Sequence, residues 1–181
     1  MISPAWCRMM AAYNSEMNRR IYAAAEPIPD AERKAGRGAF HGSLHATLNH
    51  LLWGDRQWMS RLDPDHFAKP PPGFDVSRRL FDDFAALRAA RAEADAGIEA
   101  WAGRLTEAWL AGDLTWFSGG TGREWTLPRW ITVTHLFNHQ THHRGQVHCL
   151  ITQAGVTPEA TDLPFILDLE ALGLLQGVSP G

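Results

Sequence analysis

The sequence predicts an all-α fold, a four-helix bundle, on three observations. Four long stretches repeat apolar residues at steps of three and four, prolines and glycines punctuate the chain between them, and the connections they leave are short. A length of 181 residues suits a single domain spanning 1–181. At that size roughly 70% of the unfolded surface can be buried, so the fold needs no covalent staples.

The first stretch runs from about Pro4 to Glu26, with Trp6, Met9, Met10, Tyr13, Met17 and Ile21 on one stripe. Pro4 suits a first-turn position, and Pro27 and Pro29 end the helix. Residues 30–38, with Gly36 and Gly38, read as a loop. The second stretch runs from about Phe40 to Leu62 and presents Leu44, Leu48, Leu51, Leu52, Met59 and Leu62. Pro70-Pro71-Pro72-Gly73 forbids helix. The third runs from about Val76 to Leu105, stepping through Leu80, Phe84, Leu87, Ala94, Ile98 and Trp101. Residues 113–127 change character: Leu114–Phe117 and Glu124–Leu127 flank a glycine-rich turn, the pattern of a short hairpin before the last long helix. A lone hairpin is marginal in water and must pack on the helices. The fourth long stretch runs from about Pro128 to Ala154, closed by Gly155 and Pro158. A short C-terminal helix is expected from about Asp162 to Leu175, with Asp162 as its N-cap.

Lys and Arg number 17 and Asp and Glu 20, a net charge of −3, which leaves no electrostatic footprint for nucleic acid. No run of 18 apolar residues is present, so no membrane span is expected, and the first residues lack the apolar stretch of a signal peptide. A cytoplasmic location is the expectation. Two cysteines, Cys7 and Cys149, are too few for a disulfide framework and read as small buried hydrophobes.

Eight tryptophans and nine histidines stand out in the composition, and His135, His139, His142 and His143 fall within nine residues of the fourth stretch. Residues four apart share a helix face, so His139 with His143 can grip one ion; His135 with His139 has the same spacing. At about 100° per residue, His143 lies nearest the apolar stripe of Val133, Leu136, Val147 and Ile151, followed by His139, then His135. Gln140 and Arg144 fall on the same inward side, which suits the surroundings of a polar site. Two imidazoles make a weak site, and an open tetrahedral one needs a third ligand from another helix. His41, His45, His50 and His66 are the candidates. His41 begins its helix and His66 lies near prolines, while periodicity leaves His45 and His50 level.

Asn138-His139-Gln140-Thr141-His142-His143-Arg144-Gly145-Gln146-Val147 resembles the signature helix of the DinB family of damage-inducible, DinB/YfiT-like proteins. Leu48–Trp58 resembles that family's second helix, and Tyr13-Asn14 with Asn18-Arg19-Arg20 is similar to its first. The resemblance implies an up-down-down-up bundle, a homodimer, and a Ni²⁺ or Zn²⁺ site with one histidine from the second helix and two from the fourth. Carried over by motif, the metal ligands are His50, His139 and His143.

Three neutral imidazoles leave a coordination position open, where a metal can lower the pKa of a water or thiol. Similar families include transferases and isomerases dependent on low-molecular-weight thiols, so the resemblance implies a metal-dependent enzyme of that kind, or a hydrolase, acting on a small-molecule substrate. The alternative is a non-catalytic, metal-binding stress-response protein with a structural metal. Arg144 and Arg56 are candidates for a substrate carboxylate or for structural pairing, and Asp55 reads as a surface charge. Trp116 and Trp125 read as a cross-strand pair, and Leu114, Phe117 and the exposed part of the first helix are candidates for a dimer seam.

Overall fold

A computed structural model describes residues 2–175. It is mostly helical, with one two-stranded antiparallel sheet. In chain order the elements are α1 (Pro4–Ala25), α2 (Asp30–Lys34), α3 (Leu44–Leu62), α4 (Phe74–Ser77), α5 (Phe84–Arg104), α6 (Glu107–Ala111), β1 (Asp113–Ser118), β2 (Arg123–Pro128), α7 (Arg129–Gln153) and α8 (Leu163–Ile166).

Each long helix except α7 begins at a residue that supplies its own cap. Ser3 accepts a hydrogen bond from the Trp6 amide, Ser43 from the Ala46 amide and Asp83 from the Ala86 amide. Helix α7 follows β2 directly through Pro128, whose missing N–H costs nothing at a helix start.

The long helices pack in a closed circuit, α1 on α5 and α7, α3 on the same two. Their apolar faces form two clusters. One holds Ile21, Leu48, Leu52, Leu87 and Ile151; the other holds Ala11, Met59, Ile98, Val133 and Phe137. Helices α3 and α5 run from the first cluster to the second, α1 and α7 from the second to the first. Between the clusters lies a buried polar belt of Asn14, Asn18, Asp55, Arg91, Asp95, Gln140 and Arg144.

The structure corrects several boundaries. The third periodic stretch is two elements: α4, a single turn, then a break, then α5 from Phe84. The break is held from α3. Asn49 accepts from the Phe81 amide and donates to its carbonyl, and the His45 ring bonds the same carbonyl. The second stretch starts at Leu44, so His41 lies in the preceding loop. Residues 30–34 form the short helix α2, α6 follows α5, and the C-terminal helix is the single turn α8, where Asp162 makes no side-chain cap. Cys7 is buried as expected, but Cys149 is exposed.

The hairpin occupies its expected place, with Trp116 opposite Trp125. Trp116 packs edge-to-face on Trp58 of α3 at 5.5 Å between centroids, and Leu114 joins the second apolar cluster. These contacts anchor a hairpin that would not persist alone. No helix among the described residues is long and apolar enough to cross a membrane.

Candidate metal centre

Helices α3 and α7 lie side by side, and the facing middle of each carries histidine. His50 comes from α3; His139 and His143 come from successive turns of α7. Ring centroids are 5.2 Å apart for His50 and His139, 4.9 Å for His50 and His143, and 4.5 Å for His139 and His143. The Nε2 atoms of His50 and His139 are 3.2 Å apart. Four-coordinate ligands at metal–nitrogen distances near 2.0–2.1 Å sit about 3.3 Å from one another. The two side chains already have nearly that spacing.

Neighbouring groups fix which nitrogens face the centre. Ser77, fully buried on α4, gives its hydroxyl proton to the Phe74 carbonyl at 2.7 Å and lies 3.0 Å from His50 Nδ1. With that proton committed, Ser77 Oγ accepts from Nδ1–H, and the lone pair of His50 is on Nε2. His143 Nδ1 stands 2.8 Å from Gln146 Oε1, an acceptor, so its lone pair too is on Nε2. A hydrogen bond on the remote ring nitrogen is the usual way a protein aims a ligating imidazole. Gly73, at φ +119°, turns the chain out of the proline run into α4 and so delivers Ser77.

Burial, then the neighbouring imidazoles, push His50 and His139 down to about 3; burial and the charges of His143 and Arg78 push His41 down to about 4. Burial also lowers His143, against the bond to Gln146. All are neutral at pH 7, the form that binds metal. A base depressed in the folded state is protonated first in the unfolded chain, so its contribution is full above the unfolded pKa near 6.5 and is lost as pH falls. Chelator-treated protein is expected to lose about 1–2 kcal/mol for each of His41, His50 and His139 between pH 7 and pH 5. Urea unfolding at pH 7, 6 and 5 measures this, and a flat profile would contradict it.

A fourth ring joins the three. His41 is 2% exposed, stacks on His50 at 3.8 Å and meets His143 edge-on at 4.9 Å. Donor atoms of His41, His50 and His143 all lie within 4.8 Å of one another. Three of the four imidazoles, His41, His50 and His143, thus bring donor atoms to one centre, and His139 adjoins them through its Nε2 contact with His50. Sequence periodicity placed His41 only at a helix start; it lies in a loop, where helical spacing carries no information. Phe40, 70% exposed, and Phe74, 51% exposed, stand at the outer edge with centroids 5.8 Å apart. Trp53 lies parallel to His50 at 6.2 Å. The mouth of the site is therefore aromatic.

The other candidates point elsewhere. His45 bonds the Phe81 carbonyl at 2.8 Å, and His66 pairs with Asp63 at the surface. His135 packs on Trp58, and His142 is exposed.

Behind the histidines lies the polar belt. Asp55 is not a surface charge: it is 1% exposed and pairs with Arg91 of α5 at 2.7 Å. Arg91 also pairs with Asp95 at 2.7 Å, and Asn14 and Asn18 donate to Asp95. Arg144 donates to Asn14 Oδ1 and to Gln140, and Gln140 donates to the Leu51 carbonyl. Arg144 thus serves as an internal strut, and Arg56 lies over the Phe81 ring. Asp55 and His50 share α3, and Gln140 and Arg144 interleave with His139 and His143 on α7, so the belt, which draws on all four long helices, shares two of them with the site.

The DinB family model matches residues 1–176. Among solved structures, a DinB-like protein from Bacillus cereus ATCC 10987 is similar, with 20% identity and a TM-score of 0.60, over 84% of this chain and 94% of that one. At that identity the likeness speaks for the fold. No curated protein matches the sequence.

Proposed function

The chain belongs to the DinB family, and from that premise we propose that it is a metal-dependent enzyme, a thiol-dependent transferase or isomerase, whose divalent ion is held by His50, His139 and His143. The observation that carries the reading is the pair of Nε2 atoms 3.2 Å apart, with His50 aimed by Ser77 and His143 by Gln146. With the His50 lone pair on Nε2, that contact is bridged either by a His139 N–H or, once His139 turns its own lone pair inward, by a cation. A donor set of neutral imidazoles suits Zn²⁺ or Ni²⁺. The ion would supply Lewis-acid chemistry, holding a small-molecule thiol as its thiolate at neutral pH.

The chain's own residues would do the rest. Ser77 and Gln146 keep two Nε2 lone pairs turned inward. Phe40, Phe74 and Trp53 shape the approach and restrict water. The order of the apolar clusters along α1, α3, α5 and α7 supports an up-down-down-up four-helix bundle as the frame. With it we place a homodimer and a cytoplasmic setting, as the family resemblance implies.

A second reading, a structural metal without turnover, is favoured by one observation, the buried His41 ring against the trio. Elemental analysis of purified protein beside a His143→Ala variant tests the metal centre. About one equivalent of Zn or Ni is expected in the wild type and little in the variant; equal content in both refutes the assignment. Thiols are expected to perturb the spectrum of a Co²⁺-substituted sample, and silence toward every small thiol tried would favour the structural reading.

A further inference from the structure

We propose that His41 is a fourth nitrogen donor to the same ion, carried by the loop between α2 and α3, so that the resting centre holds four imidazoles. The inference rests on the three-histidine reading and deepens it.

The first ground is the orphaned state of its nitrogens. His41 is 2% exposed, yet neither Nδ1 nor Nε2 has a hydrogen-bond partner among the described residues. A buried polar group left unpaired costs about 1–3 kcal/mol. Of the other rings in the cluster, His50 and His143 spend Nδ1 on a neighbour, and His50 and His139 face each other through Nε2. His41 alone of the four spends nothing, which is what a ligand awaiting its ion looks like.

The second ground is position. Rings on one tetrahedral ion diverge, with centroids roughly 5 Å apart for metal–nitrogen distances near 2 Å. His41 and His143 are at 4.9 Å. The His41–His50 separation of 3.8 Å, with planes 23° apart, is a stack and is too close for two ligands. Ligation therefore requires the His41 ring to tilt off His50 while its backbone stays in place.

The third ground is the loop. An Ala39–Gly42 bridge pins the backbone on both sides of His41, with the Gly42 amide donating to the Ala39 carbonyl at 2.8 Å. Gly42 adopts φ +90°, a conformation open to glycine, so the loop is built to turn tightly and thrust residue 41 inward. The helices hold the other three rings through backbone ladders. Residue 41 has only its short loop, so it is the donor that an incoming anion or thiolate displaces.

His41→Phe separates a ligand from a packing residue, because a phenyl ring keeps the stack on His50 and removes both nitrogens. Circular dichroism checks the fold of the variant, and His41→Ala serves in its place if it fails to fold. Co²⁺ affinity is measured by chelator competition, with the visible spectrum recorded before and after azide. Affinity in His41→Phe is expected to fall about tenfold or more. The ligand-field spectrum is expected to change in the variant. Azide, freed from an internal competitor, is expected to bind the variant about tenfold more tightly. Unchanged Co²⁺ affinity and spectrum in His41→Phe, with binding abolished in His143→Ala, overturns the role of His41 and leaves the three-histidine centre standing. Failure of the wild type to bind Co²⁺ removes the metal centre and His41 with it.

Discussion

Replacing Arg91 with methionine is expected to destabilise the protein by about 3–5 kcal/mol, a large share of the 5–15 kcal/mol that holds an ordinary domain together. Arg91 is 2% exposed and is the shared partner of Asp55 and Asp95, each at 2.7 Å. Methionine fills much of the space but leaves two carboxyl groups in the interior without their cation. Burial already pushes Asp95 up to about 6 and raises Asp55, and Arg91 is the foremost of the groups that oppose both shifts. In the variant that foremost opposing charge is gone. Carboxyls raised above their unfolded values favour the folded state only while protonated, so their contribution is present at low pH and lost as pH rises. The gap between variant and wild type is therefore expected to narrow from pH 7 to pH 5. Urea unfolding with a common m-value measures it. A loss below about 1 kcal/mol at pH 7 would show that the belt contributes little beyond its volume.

The same pair shows where the sequence was legible and where it was not. Helix α1 and helix α7 were readable to within a residue because proline, capping and glycine signals coincide with the ends of their periodic stretches. The break before α5 was not, since Leu80, Phe84 and Leu87 keep helical spacing straight across it. The bonds that hold the break come from Asn49 and His45, more than 30 residues away in sequence, and no local pattern carries them. Asp83 was the one local sign, as the N-cap of α5. Asp55 was misread for a similar reason: its partner lies on another helix, and a wheel drawn on α3 alone shows only a charge off the leucine face. At the site, spacing left His135–His139 and His139–His143 level, and the helical wheel was needed to favour His139 with His143. The choice of His50 over His45 needed the family motif. His41 had no periodicity to betray it, only the surplus of histidine and the glycines around it.

Gly54→Ala separates the stability of the helices from the geometry of the centre. Glycine in the middle of a long helix costs about 1 kcal/mol relative to alanine, so its presence in α3 calls for a reason. That reason is His139: a Cβ at position 54 would lie 2.8 Å from its Cε1 and 3.3 Å from its Nδ1. The missing side chain is the space that lets the His139 ring lie against α3 and bring Nε2 to within 3.2 Å of His50. Alanine there need not disturb the core, because the atom it meets is on a side chain able to move outward. It must disturb the trio, because the outward move carries one donor away from the other two. The variant is expected to unfold at the same or a higher temperature than the wild type when metal-free. Its affinity for Zn²⁺ or Ni²⁺ is expected to fall about 10–100-fold, the range seen when the groups orienting a ligand are changed. Chelator competition and thermal unfolding on the same preparation read the two effects separately. Wild-type affinity in Gly54→Ala would mean that His139 is not among the ligands. The ion would then belong to the trio of His41, His50 and His143, whose donor atoms already lie within 4.8 Å of one another.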